Sequence, residues 1–139
     1  MKAALPTVAG VAVLSIMLLA AQQPPAAPVF TTEQAAAGRA DYAKQCASCH
    51  MPDLTGDVEI PALVGEPFMN TWGIRTTKEL FDYLSATMPS GAPSLSAESY
   101  TFITAYILQA NGAVAGAQAL TASTTVPIGS VTAASKPSQ

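Results

Sequence analysis

Cys46-Ala47-Ser48-Cys49-His50 decides the reading of this chain. A Cys-x-x-Cys-His pentapeptide is the attachment sequence for c-type haem. Two thiols can add to the two vinyl groups on one edge of a porphyrin. Two intervening residues hold the sulfurs about one helical turn apart, so both reach that edge. The His50 imidazole then lies beneath the ring, in reach of the iron as proximal ligand. Other uses of these thiols fit less well. A structural zinc site takes four ligands, usually Cys or His, and the chain holds two Cys and one His. A thioredoxin-like pair belongs beside a βαβ pattern, which is absent here. A disulfide between residues three apart would close a very short loop and stabilise little.

Upstream, Met1-Lys2 is followed by an apolar run from Ala3 to Ala21, broken by Pro6, Thr7, Gly10 and Ser15. One cation before an apolar run reads as a secretory signal over residues 1–21. An uncleaved membrane anchor is the alternative, since the run approaches the roughly 20 residues that span a bilayer. Pro6 and Gly10 weaken such a helix and favour cleavage. Either way the remainder lies outside the cytoplasm, periplasmic or otherwise exported, on the side where c-type attachment is made. The formal charge is −3, and −4 once Lys2 is removed. Such an acidic chain is a poor ligand for nucleic acid or an anionic membrane. A membrane enters only through an uncleaved N-terminal segment.

Residues 22–30, opening with Gln22-Gln23-Pro24-Pro25, read as an extended linker. Three helices follow, with no alternating strand pattern among them. The first is capped by Thr31 or Thr32, with Glu33 at its positive end, and continues through Cys46. Gly38 inside it costs about 1 kcal/mol against Ala and marks a close approach by another element. The second spans Lys78 to Ala86, capped by Thr76 or Thr77, with Leu80, Phe81 and Leu84 on its apolar side. The third spans Ala97 to Ala110, capped by Ser96, with Tyr100, Ile103, Tyr106 and Ile107 on one side. Asn111-Gly112 suits a left-handed end. Residues 31–113 make one small haem domain. Residues 114–139 are rich in Ala, Ser, Thr and Gly, and read as a low-complexity mobile tail.

The second axial ligand decides between a carrier and a catalyst. His50 is the only histidine, so a bis-histidine site within the chain is excluded. Met1 and Met17 lie in the signal, and Met51 is tied to the wrong side of the ring. Met69 and Met88 remain. Met88 sits in Thr87-Met88-Pro89-Ser90-Gly91-Ala92-Pro93, a restricted loop able to hold a thioether at iron. Met88 is therefore the expected sixth ligand and Met69 a packing residue.

These pieces together resemble a class I, mono-haem cytochrome c. The likeness rests on Gly38-x-x-x-Tyr42, the attachment pentapeptide, Pro61-Ala62-Leu63-Val64-Gly65, Met88-Pro89 and Ala105-Tyr106-Ile107-Leu108, in that order. It implies an all-α cytochrome c fold with three main helices around a covalently attached haem c. It implies further that the first and last helices cross at Gly38, with Tyr106 near Tyr42, and that the Pro61 carbonyl accepts the Nδ1 hydrogen of His50. Met88-Pro89, Pro93, Leu95-Ser96, Tyr100, Tyr106-Ile107-Leu108 and Asn111-Gly112 are similar to cytochromes that accompany pyrroloquinoline-quinone dehydrogenases.

Trp72 and Arg75 carry donors that could reach a haem propionate. The reading favours that role for Trp72 and a solvated surface for Arg75. Asp53, Asp57, Glu59 and Glu66 form an acidic group, read chiefly as a solvated loop, which could also orient a cationic partner. The expected protein is thus an exported carrier of single electrons with His50 and Met88 on the iron, and not an enzyme by itself. It could serve as the cytochrome subunit of a dehydrogenase. Its expected partners are redox proteins, among them a quinoprotein dehydrogenase and a terminal oxidase. Two other classes are a haem enzyme or gas sensor with an open sixth site, and a non-haem secreted thiol–disulfide module.

Overall fold

The computed structural model describes residues 27–132. The signal segment, the first part of the linker and residues 133–139 lie outside the described residues. Regular structure among the described residues is helical: α1 Thr32–Gln45, α2 Ala47–His50, α3 Gly65–Trp72, α4 Thr77–Thr87, α5 Ala97–Ala110 and α6 Ile128–Thr132. An isolated bridge between Thr76 and Pro127 is the nearest approach to a strand. The fold is all-α, as the resemblance implies.

Local chemistry places the helix starts. Thr31 and Gln34 form a reciprocal capping box at α1, and Thr76 and Glu79 do the same at α4. Each box satisfies two backbone donors that a helix start leaves without partners. The Ser96 hydroxyl caps α5 by accepting from the Ser99 amide. At the far end of α5 Gly112 takes a φ of +93°, which a residue without Cβ adopts freely.

The frame is a crossing of α1 and α5. A Cβ on Gly38 would overlap the carbonyl oxygen of Phe102, so the backbones meet where the side chain is absent. Tyr42 and Tyr106 pack beside the crossing, ring centroids 5.4 Å apart and planes tilted by 55°. Helix α4 also packs on α5 and brings Leu80 and Leu84 into the core.

Two elements depart from the expectation. Helix α3 lacks a side-chain cap, and its start at Gly65-Glu66-Pro67 reads as a loop. It forms because Phe68 and Trp72, four residues apart, both bury against the core. The second departure is a correction: residues 114–132 are not a mobile tail. They strap the domain from the start of α1 to the start of α4 and the C-terminal end of α3. The Gln34 amide pairs with the Leu120 backbone through two bonds of 2.8 Å. Thr77 Oγ1 donates to the Thr124 carbonyl at 2.6 Å and the Thr77 amide donates to Val126 at 2.9 Å. The Ile128 and Gly129 amides then donate to the carbonyls of Arg75 and Gly73, each at 2.9 Å. Leu120, Ile128 and Val131 are buried along the way.

Candidate functional site

The attachment pentapeptide folds as one helical turn. Cys46 ends α1 and begins α2, and its carbonyl accepts from the amides of Cys49 (3.1 Å) and His50 (2.9 Å). Cys46 is half-buried and Cys49 exposed, and both thiols are free. Burial pushes the Cys46 thiol up to about 11, with Asp41 and Cys49 adding to the shift. A thiol–disulfide exchange site needs the opposite, a lowered thiol that is ionised near neutrality.

His50 is buried at the end of the turn. Its Nδ1 lies 2.9 Å from the Pro61 carbonyl oxygen. A carbonyl can only accept, so Nδ1 carries the hydrogen and Nε2 keeps a lone pair for a metal. The chain then reverses at Met51 and Leu54, both at φ +65°. The Met51 carbonyl is fixed by the Tyr42 hydroxyl, which donates at 2.7 Å. Burial raises the Tyr42 phenol, with smaller contributions from Cys46, Tyr106 and Asp53, so this donor stays protonated.

Met88 lies at the C-terminal end of α4. It shares one apolar cleft with Cys46, walled by Leu84, Pro89, Leu95, Tyr100 and Ile103. Its backbone is fixed on both sides: its amide donates to Leu84 at 2.9 Å, and its carbonyl accepts from the Tyr100 hydroxyl at 2.6 Å. Met69 is elsewhere, on α3, where its sulfur accepts from Thr132 Oγ1 at 3.7 Å. The two methionines left open by the sequence are thereby separated: one faces Cys46, the other faces the strap.

Trp72 does not line that cleft. Its ring stacks near Phe68 (6.4 Å) and meets the edge of Tyr83 (5.3 Å). Arg75 is exposed but not merely solvated, since its guanidinium stands 5.0 Å above the Trp72 ring. Part of the acidic group has a local task. Asp57 Oδ1 accepts from the amides of Glu59 (2.8 Å) and Ile60 (2.9 Å), which holds its carboxyl below the usual range. Asp53 does the same with Thr55. These carboxylates shape the loop that ends in Pro61.

Two residues matter more than the sequence reading foresaw. The Tyr100 hydroxyl ties the Met88 carbonyl to the Leu95 amide, which donates to it at 3.3 Å. Asn111 reaches across to the proline loop, bonding Leu63, Gly65 and Ile107 together.

Among the described residues no group of three or more His, Cys, Asp or Glu could hold a bare metal ion. A thioether and a thiol lining one apolar cleft, with a second thiol and a histidine on the turn that starts at that thiol, instead suit a metal whose other nitrogen donors arrive with a macrocycle. The residues present fit haem. His50 and Met88 would supply axial donors, and Cys46 and Cys49 the covalent links.

Comparison with known protein families matches residues 33–107 to the family described as cytochrome c oxidase, cbb3-type, subunit III. No curated protein and no solved structure gives a significant match. The family match takes in more than half of the chain and includes both the attachment turn and Met88. The chain therefore belongs to this family of class I mono-haem cytochrome c domains, and its cofactor is covalent haem c.

Proposed function

We propose that this chain is an exported mono-haem electron carrier in which His50 and Met88 are the axial ligands. One observation supports the reading above the rest. Met88 and Cys46 line the same apolar cleft, while Pro61 holds the His50 ring with Nε2 left for iron. Haem c, when bound, supplies the one-electron couple. The chain does the rest. Cys46 and Cys49 hold the macrocycle. A thioether at the sixth position favours the ferrous state, and the apolar wall of Leu84, Leu95 and Ile103 raises the potential by disfavouring the more charged ferric state. Trp72 Nε1 makes no hydrogen bond among the described residues and is offered as a donor to a propionate. The scheme needs no general acid or base, so the chain acts as a carrier and not as an enzyme by itself. The high proton affinity of the Cys46 thiol weighs against a thiol-exchange module.

The family description names a subunit of a terminal oxidase, which supports an oxidase as electron acceptor. The Met88-to-Gly112 likeness supports a quinoprotein dehydrogenase as donor. No helix among the described residues is long and apolar enough to cross a membrane. Any anchoring is assigned to the N-terminal segment.

The test is spectroscopic. The mature protein should have the mass of apoprotein plus one haem, and its oxidised form should show a near-infrared Met–iron band. Met88→Ala should abolish the band and lower the potential markedly; Met69→Leu, a volume-conserving swap, should do neither. Loss of the band in Met69→Leu with its survival in Met88→Ala would refute the ligand assignment. A wild-type spectrum without the band would support an open sixth site instead.

A further inference from the structure

We propose that Asn111 is a positioning residue for the haem ligand His50, acting through the Pro61 carbonyl. The proposal rests on the His50/Met88 reading above. Asn111 lies beyond the family-matched span, at the C-terminal end of α5. Its side-chain amide joins three backbone pieces. Nδ2 donates to the Leu63 carbonyl and to the Ile107 carbonyl, each at 2.9 Å, and Oδ1 accepts from the Gly65 amide at 3.0 Å. Gly65 opens α3, where a backbone N–H has no helical partner. Both partners in the loop are within a few residues of Pro61.

The loop is also bonded to itself, to the pentapeptide and, at its Met51 start, to α1, whose Tyr42 hydroxyl donates to the Met51 carbonyl at 2.7 Å. Leu63 donates to Leu54 at 2.8 Å, Gly56 to the His50 carbonyl at 3.1 Å, and Asp57 to Ile60 at 2.9 Å. Leu54 is buried in the core as well, so the first half of the loop is anchored, but none of these bonds reaches α5. Asn111 does, joining Leu63 and Gly65 to the C-terminal end of α5. The carbonyl of Pro61 therefore keeps its 2.9 Å distance to His50 Nδ1 by reference to α5. A hydrogen bond at Nδ1 increases electron donation from Nε2 and so stabilises ferric iron. Loosening it should weaken that donation and raise the potential.

The experiment uses the full-length haem protein and three variants. Asn111→Ala removes all three bonds. Asn111→Asp is nearly isosteric, keeps an acceptor for Gly65, and loses the donor to Leu63. Gln34→Ala removes a comparable side-chain clamp, onto Leu120, on another part of the domain. Two quantities are read: exchange of the His50 Nδ1 hydrogen in the reduced protein by NMR, and the midpoint potential. In both Asn111 variants the exchange should quicken by about tenfold or more, and the potential should rise. Gln34→Ala should lower the melting temperature and leave both readings in place. If Asn111→Ala does not fold, Asn111→Asp carries the test alone. Exchange within about twofold of wild type in a folded Asn111 variant, or a potential that is unchanged or lower, would overturn the proposal while wild type keeps its Met–iron band. Absence of that band from wild type would remove the parent reading and this one with it.

Discussion

Tyr100 shows what a single hydroxyl can do at this site. It lies on α5, buried, and donates to the Met88 carbonyl at 2.6 Å while accepting from the Leu95 amide at 3.3 Å. Tyr100→Phe keeps the ring and leaves both loop groups without their partner. The cost should be about 1–3 kcal/mol in denaturant unfolding. The loop that carries Met88 should also loosen, so under the proposed ligation added imidazole should displace the thioether at lower concentration than in wild type. Reduced stability with unchanged imidazole competition would mean that Tyr100 serves the core alone. The residues of the site divide by reach. Cys46, Cys49 and His50 were legible because a five-residue turn carries their chemistry. The proposal of Met88 rests in the sequence on elimination and on the prolines around it. The Asn111 amide was not, because its partners lie 46 and 48 residues away and an Asn at a helix end reads first as a cap. For Trp72 the sequence showed the donor but not its neighbours, Phe68, Tyr83 and Arg75, which come from other parts of the helical frame or from the turn beyond it.

At the scale of elements, caps and one glycine predicted most of the fold. Ser96 and the apolar spacing gave α5 its observed bounds, Ala97–Ala110. Thr31 and Thr76 start α1 and α4 as their side chains suggest. Helix α3 escaped because its stabilisation is tertiary: Phe68 and Trp72 gain by burial, whereas Gly65 and the uncapped Val64 send no local signal. The α1–α5 crossing is the element-scale feature most open to test. Gly38→Ala gains about 1 kcal/mol of helix propensity, but its new methyl group overlaps the Phe102 carbonyl. Backbone cannot swing aside as a flexible side chain can, so the helices must separate. Overpacking of this kind costs about 1–3 kcal/mol or more. The variant should be net destabilised in urea unfolding, and the Tyr42–Tyr106 ring contact should loosen with it. A Gly38→Ala protein as stable as wild type or more so would show that the helices do not meet there.

For the molecule as a whole, the strap of residues 114–132 carries packed structure beyond the end of α5. The family match stops at residue 107, and composition alone suggests disorder beyond it. That suggestion failed because the strap is held mainly by backbone bonds, which composition cannot reveal, and by a few well-spaced apolar side chains. Ile128 and Val131, three apart on α6, were the available signal. Ile128 is fully buried, and Leu120 and Val131 are 4% exposed. Ile128→Ala should therefore cost about 2–5 kcal/mol. In a domain of this size that is a fall in melting temperature of roughly 10 °C or more. Truncation after Gln118 removes all three side chains together with the bonds to Gln34, Thr77, Arg75 and Gly73. It should lower the melting temperature at least as far as Ile128→Ala does. The visible spectrum should survive at low temperature, because none of the residues walling the Met88 cleft belongs to the strap. Amides at the start of α4, foremost Thr77, should exchange faster, since their acceptors leave with the strap. A truncated protein that melts with the full-length chain would put the strap outside the cooperative unit and restore the domain boundary to the end of α5.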